Sequence, residues 1–194
     1  MSATANQVND PAADSAILLR TGEQGVVTLT LNRPAQYNAL SGAMLDALQS
    51  TLDDIDSDHN VRVVIIAANG KAFCPGHDLK EMRASEERAV HQALFDKCAR
   101  MMLTINRLRQ PVIARVHGVA TAAGCQLVAN CDLAVAADEA RFAVSGINVG
   151  LFCSTPAVPL SRNMGRKQAL HMLLTGDFIS AATALQYGLE IGRA

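Results

Sequence analysis

The sequence predicts an α/β protein in which buried strands alternate with amphipathic helices around a parallel sheet. Three observations lead to this prediction. The 194 residues are 49% hydrophobic and 18% charged, which suits one globular domain with a sizeable core. The runs VVTLTL at 26–31 and VRVVIIAANG at 61–70 read as strands. Helical patterns follow these runs with little linker between them, as expected where helices cross over between parallel strands.

The first predicted elements are a hairpin and a capped helix. Residues 16–20 and 26–31 are predicted to pair across the turn TGEQG and to feed the edge of a sheet. Ser41 is predicted to cap a helix, because apolar residues between 44 and 55 recur at helical spacing. The strand at 61–70 then starts the parallel sheet.

The middle of the chain repeats this alternation. A helix is predicted over Glu86–Leu108, with its methionines as core residues, and Pro111 marks its end. PVIARVHG is predicted to form a strand. A further helix is predicted to begin near Ala122 or Ala123 and to run into the strand CDLAVAA.

Composition and charge exclude several classes of function. A net charge of -1 argues against binding to nucleic acid or to an anionic membrane. Five cysteines without a CxxC pair argue against a disulfide framework and a zinc site, so no metal is predicted. No apolar run reaches the roughly 20 residues of a membrane span. The first 20 residues lack the apolar block of a secretory signal and the arginines of a mitochondrial presequence, so a cytoplasmic protein is predicted. Residues 1–15 are predicted to be disordered and residues 16–194 to form the domain.

Two turns of small residues follow buried strands. They lie within GKAFCPGHDLKEM at 70–82 and GVATAAGCQLVANCDLAV at 118–135. Small side chains let a ligand approach the peptide N–H groups, and a following helix adds the positive end of its dipole. Two such turns facing one space are predicted to form an oxyanion hole. The alternative is tight packing of a helix against a strand. A dinucleotide fingerprint and a phosphate-binding loop are not indicated.

Four stretches, in order along the chain, resemble the crotonase superfamily of enoyl-CoA hydratases and isomerases. Within this family the chain looks most like the enoyl-CoA hydratase domain-containing protein 3 group, whose FCST run matches Phe152–Thr155. The resemblance implies a crotonase-like (ClpP/crotonase) spiral of ββα units that binds an acyl-CoA thioester. The stretches are NRPAQYNAL, GKAFCPGHDLKEM, HGVATAAGCQLVANCDLAVA and RFAVSGINVGL.

The resemblance also assigns the binding residues. The backbone N–H groups of His77 and Ala123, with Gly124 as a neighbour, would hold the thioester oxygen. The family uses the backbone at the position of His77, and a catalytic role for the His77 imidazole is the alternative. The remaining substrate and CoA contacts implied by the resemblance are Asp78, Leu79, Lys80, Asn38, Ala39 and Leu40.

Hydration of an enoyl-CoA requires a base and an acid, which the hydratases of this family supply as two glutamates. Here the two positions hold Gln126 and Gly146. An amide cannot accept the proton of water at neutral pH, and glycine has no functional group. Restoring both glutamates is expected to raise hydration if the oxyanion hole is intact. Cys153 is a candidate nucleophile, with a buried inert thiol as the alternative, and Asp78 is expected to cap a helix.

The function predicted by resemblance is that of an enoyl-CoA hydratase/isomerase family protein with weak or no hydratase activity. The alternatives are a non-catalytic acyl-CoA binder and a regulatory or assembly subunit. No cofactor is predicted, because coenzyme A is part of the substrate. The resemblance further implies a trimer or hexamer. The family pattern continues beyond EIGRA into a strand and C-terminal helices, so the domain at 16–194 is expected to be truncated at its C-terminal end.

Overall fold

Alternating branched residues form the predicted hairpin. The structure, a computed structural model, describes residues 16–193, so the predicted disordered segment 1–15 lies outside the described residues. Strand β1 (Leu18–Glu23) pairs antiparallel with β2 (Val26–Leu31), which confirms the hairpin. The turn is shorter than predicted, because Gln24 and Gly25 both have positive φ and close the strands in two residues.

The first sheet is parallel apart from that hairpin, as predicted. Its order is β1-β2-β3-β5-β7, and Val26 pairs with Val63 where β2 meets β3. Its inward-facing residues, such as Leu29 and Ile66, are fully buried. The added strands are β3 (Val63–Ala68), β5 (Val112–Val116) and β7 (Leu133–Ala136).

A second, smaller sheet contains the second strand of each ββα unit that the family resemblance implies. PVIARVHG forms the predicted strand over Val112–Val116, and the chain then bends at Gly118 into a second strand. A Cβ atom on Gly118 would lie 2.6 Å from the Lys71 carbonyl oxygen, so the bend requires glycine. Strands of two or three residues are too short to show periodicity, so the sequence pattern alone did not show that these strands pair in a separate sheet. Its order is β4 (Ala72–Cys74), β6 (Val119–Thr121), β8 (Arg141–Ala143) and β9 (Ile179–Ser180).

The helices begin and end close to the predicted positions. Ser41 caps the first helix through Met44 N–H, as predicted. The long helix is slightly shorter than the expected Glu86–Leu108. The helices are α1 (Gly42–Ser57), α2 (Leu79–Arg83), α3 (Arg88–Arg107), α4 (Ala123–Asn130), α5 (Ser154–Asn163), α6 (Arg166–Thr175) and α7 (Ala181–Tyr187).

A strand in each sheet followed by a helix is the repeating unit. The first such unit is β3-β4 followed by two helices, α2 and α3. The second is β5-β6-α4, and the third is β7-β8-α5. Buried residues of α1 and α3, including Leu48 and the predicted core residues Met101 and Met102, belong to the same hydrophobic core as the buried residues of the larger sheet. Residues 16–193 contain no helix that combines the length and apolar character needed to cross a membrane.

Candidate functional site

A cavity of about 620 Å³ lies where the two small-residue turns meet. Its wall combines segments distant in sequence, and both His77 and Ala123 belong to it. Most of the surrounding side chains are apolar. The wall is drawn from residues 35–39, 75–82, 122–123 and 145–156 and from Phe95 of α3.

The first turn holds His77 beside the loop that precedes α1. Leu40 N–H donates to the Gly76 carbonyl at 2.8 Å, and Asp78 N–H donates to the Leu40 carbonyl at 3.4 Å. His77 lies between Gly76 and Asp78, the two residues that hydrogen-bond to Leu40 in this parallel bridge. In a parallel bridge, the N–H of such a middle residue points away from the partner strand. The His77 N–H therefore faces the side opposite Leu40.

The second turn meets the first at Gly76. A Cβ atom on Gly76 would lie 3.1 Å from both the Ala122 Cβ and the Ala123 nitrogen, so only glycine allows this approach without displacement. Ala123 is the first residue of α4, which confirms the predicted start, and its N–H has no partner within the helix. Within residues 16–193, neither the His77 nor the Ala123 N–H donates a hydrogen bond to another backbone group.

Asp78 is committed to structural contacts, although it lines the cavity. Its carboxylate accepts hydrogen bonds from Lys80 N–H and Glu81 N–H, which confirms the predicted cap of α2. The Arg33 guanidinium lies 3.6 Å away. Leu79 also lines the cavity, as does Lys80, and both side chains are exposed at its rim.

The Asn38–Leu40 loop contributes one residue to the wall. Ala39 lines the cavity, whereas Asn38 and Leu40 are fully buried behind it. The Asn38 amide donates to the Asn69 and Ala72 carbonyls at 2.8 and 2.9 Å. Asn38 therefore fixes the loop to the neighbouring strands and does not face the cavity.

The position of the second family glutamate has no room for a side chain. Gly146 lines the cavity, but a Cβ atom there would lie 2.5 Å from the Leu151 carbonyl and 2.6 Å from the Cys153 sulfur. The obstacle is this contact, since the φ of Gly146 is not positive. A Gly146→Glu change is therefore expected to displace the loop. We no longer expect it to raise the rate of hydration.

Gln126 and Gly124 lie outside the wall. Gln126 is buried one turn along α4 from Ala123, and its Oε1 atom is enclosed without a hydrogen bond. A Cβ atom on Gly124 would lie 2.0 Å from the Cys74 carbonyl oxygen. Gly124 therefore serves the contact between α4 and β4, which is the packing alternative considered for this turn.

Burial disfavours the nucleophile interpretation of Cys153. It lines the cavity at the start of α5, but desolvation raises the pKa of its thiol, and the Gly146 backbone opposes this only partly. Burial raises the pKa of Cys74, Cys98 and Cys125 to about 12. The pKa of Cys131 is raised as well.

We expect the five thiols of the native protein to react slowly with iodoacetamide near neutral pH, because a protonated, buried thiol is a poor nucleophile. Unfolding in urea should make all five reactive. Mass spectrometry of the alkylated peptides is the measurement. Rapid native alkylation of Cys153 alone would contradict this expectation and support a nucleophilic role.

The His77 ring forms part of the cavity wall. It packs edge-on against Phe95, with ring centroids 5.3 Å apart and planes at 86°. Its Nδ1 atom is enclosed and makes no hydrogen bond of normal geometry. Burial lowers the pKa of His77, and the Leu40 backbone and the Glu81 carboxylate oppose this only in part.

Several wall residues were not predicted from the sequence. Met82, Phe95 and Tyr37 line the cavity, but nothing in their spacing separates them from ordinary core or surface residues. The FCST run was used to recognise a family branch, and of its residues only Cys153 was predicted to belong to the site. All four of its residues, Phe152–Thr155, lie in the wall.

Comparison with known proteins identifies the class. The family model for enoyl-CoA hydratase/isomerase matches residues 21–191, and the chain belongs to this family. It is 52% identical over 166 residues to the human mitochondrial enoyl-CoA hydratase domain-containing protein 3, which covers 85% of this chain and 54% of that protein. The predicted family and branch are therefore confirmed.

Solved structures confirm the predicted α/β fold. An enoyl-CoA hydratase of Mycobacterium smegmatis superposes with a TM-score of 0.91 at 61% identity, over 93% of this chain and 70% of that one. The human domain-containing protein 3 superposes with a TM-score of 0.89 at 46% identity, over 92% and 71%.

The curated relatives also correct one prediction. This chain spans 54–62% of the length of the five domain-containing proteins 3 that it matches. All five are named mitochondrial, so the prediction of a cytoplasmic protein is wrong. The low arginine content of the first 20 residues was therefore a poor guide to location.

Proposed function

We propose that this protein binds an acyl-CoA thioester and holds its carbonyl oxygen between the N–H groups of His77 and Ala123. The contact at Gly76 is the observation that supports this, because it brings two unbonded N–H groups into the wall of one cavity. A pair of fixed donors stabilises negative charge developing on that oxygen. One such donor is typically worth about 3–4 kcal/mol in a transition state.

The rest of the cavity suits the same ligand. Met82, Phe95, Leu151 and Phe152 offer an apolar surface to an acyl chain. Lys80 is exposed at the rim, where the phosphates of coenzyme A would reach it. The ligand itself supplies coenzyme A, so the proposal needs no separate cofactor.

The proposed function is tested by calorimetric titration of the purified protein with crotonyl-CoA, butyryl-CoA and coenzyme A. Both thioesters should bind, and each should bind more tightly than coenzyme A alone. Failure of both thioesters to bind would contradict the proposal.

We expect hydration of crotonyl-CoA close to the rate without protein. The positions of the base and the acid hold Gln126 and Gly146, and each missing group is worth about 10²- to 10⁴-fold. Loss of absorbance of the conjugated thioester is the measurement, with a family hydratase that has both glutamates as the positive control. Efficient hydration by this protein would contradict the expectation.

A non-catalytic acyl-CoA binder is the second candidate. It is favoured by one observation: among the described wall residues, Asp78 is the only carboxylate, and it caps α2 beside Arg33. Such a protein would bind thioesters without changing them. A regulatory or assembly subunit with a vestigial site is the further alternative, and it would not bind them.

Assembly into a homo-oligomer, a trimer or hexamer, is part of the proposal. Large apolar side chains are exposed on α6 and beyond α7, including Leu174 at 61% and Ile191 at 59% exposure. Light scattering after gel filtration gives the mass of the assembly. A monomer at all concentrations would remove this part of the proposal.

A further inference from the structure

The cavity wall contains few groups that exchange a proton, and most of them have another role. Asp78 is held by the α2 cap and Arg33, and the Cys153 thiol stays protonated. Tyr37 is 57% exposed, and Lys80 lies at the rim. His77 is the ionisable wall residue that itself carries one N–H donor of the proposed hole and lines the same cavity as Ala123.

The His77 ring presents its two nitrogens differently. Nδ1 is enclosed without a hydrogen-bond partner. Nε2 is not enclosed and likewise has no hydrogen-bond partner among residues 16–193. His77 and Phe95, against which the ring packs, both line the cavity. A group of this kind, held by packing and open at one nitrogen, is arranged to exchange a proton with a bound ligand.

We propose that the His77 imidazole is the catalytic acid–base group of this site and acts on the acyl Cα of a bound thioester. The inference rests on the proposed function. Nε2 takes a proton from Cα, so that the C–H bond breaks and an N–H bond forms. The electron pair moves into the bond between Cα and the carbonyl carbon, and the resulting enolate oxygen is held by the His77 and Ala123 N–H groups. Return of the proton to Cα regenerates the thioester.

The surroundings of the ring favour this cycle. Burial keeps the imidazole neutral near pH 7, which is the form that accepts a proton. Glu81 on α2 is the charged group that acts on the ring, and its carboxylate stabilises the imidazolium once it forms. The contact from α3 is the uncharged Phe95, and the contact from the loop before α1 is the Leu40 backbone.

Deuterium exchange at Cα of butyryl-CoA in D₂O tests the proposal by mass spectrometry. Butyryl-CoA has no double bond, so the measurement does not depend on hydration. The unsubstituted protein should exchange the Cα protons. His77→Gln keeps the backbone N–H but removes the base, and it should lower the rate by about 10²- to 10⁴-fold with butyryl-CoA still bound. His171→Gln, at an exposed position of α6, is the matched control and should leave the rate unchanged.

The pH profile provides a second measurement, which does not depend on the variant folding. The exchange rate should be constant near neutral pH and fall on acidification, because the protonated ring cannot accept a proton. Butyryl-CoA that binds but does not exchange, an unchanged rate in His77→Gln, or a flat profile would each overturn the role of His77. Failure of butyryl-CoA to bind would instead overturn the proposed function.

Discussion

Replacing Ala123 with proline is expected to weaken strongly the preference of this protein for a thioester over the matching thioether. Proline has no N–H, and its ring would occupy the space in front of the second donor. Because Ala123 is the first residue of α4, proline there removes no hydrogen bond within the helix. We expect the exchange of butyryl-CoA protons to fall by about 10²- to 10³-fold, the usual effect of losing one oxyanion donor.

The measurement compares the affinities of butyryl-CoA and S-butyl-CoA, which lacks the carbonyl oxygen. Ala123→Gly keeps the N–H and should keep the preference. Arg166→Pro places proline at the first residue of α6, away from the cavity, and controls for the effect of proline on a helix start. An undiminished preference in Ala123→Pro would show that this N–H does not hold the carbonyl oxygen.

Gly124→Ala is expected to cause the largest loss of stability among single substitutions near the site. The added Cβ would lie 2.0 Å from the Cys74 carbonyl oxygen and 2.9 Å from the Cys74 Cβ. The conflict involves backbone atoms of α4 and β4, so rotation of a side chain cannot relieve it. We expect a loss of about 3 kcal/mol or more in the free energy of unfolding, and hence a Tm lower by about 6–12 °C.

Thermal unfolding followed by circular dichroism measures this effect. Gly192→Ala is the matched control, because a Cβ atom there has nothing within 4 Å and should change the Tm little. The same displacement should weaken thioester binding, since α4 carries Ala123 into the cavity wall. Equal Tm values for the two variants would show that α4 and β4 separate freely.

Local signals in the sequence were sufficient for the larger elements. The alternation in VVTLTL, the spacing of apolar residues after Ser41 and the small residues before α4 each act over a few neighbouring residues. These elements therefore appear in the structure close to where they were predicted. The family motifs added the order of the ββα units and identified the two turns, at 70–82 and 118–135, that were predicted to form the site.

The tertiary structure decided what depends on distant contacts. From the sequence, Gly146 indicated only that the second family glutamate is absent. The positions of Leu151 and Cys153 show in addition that a side chain does not fit there. Asn38 was predicted to contact the ligand, but its side-chain amide donates hydrogen bonds to the Asn69 and Ala72 carbonyls. Phe95 gave no signal of a site, because its role arises where α3 crosses the cavity.

The sequence by itself therefore determined the fold class, the main elements and the two turns that meet at the cavity. It did so because strand pattern, helix capping and glycine conformation are set by residues close in the chain. Only the tertiary structure decided which side chains of those turns face the cavity and which serve packing. That choice depends on atoms brought together from segments far apart in sequence, as where Gly76 approaches Ala123 and the His77 ring packs against Phe95.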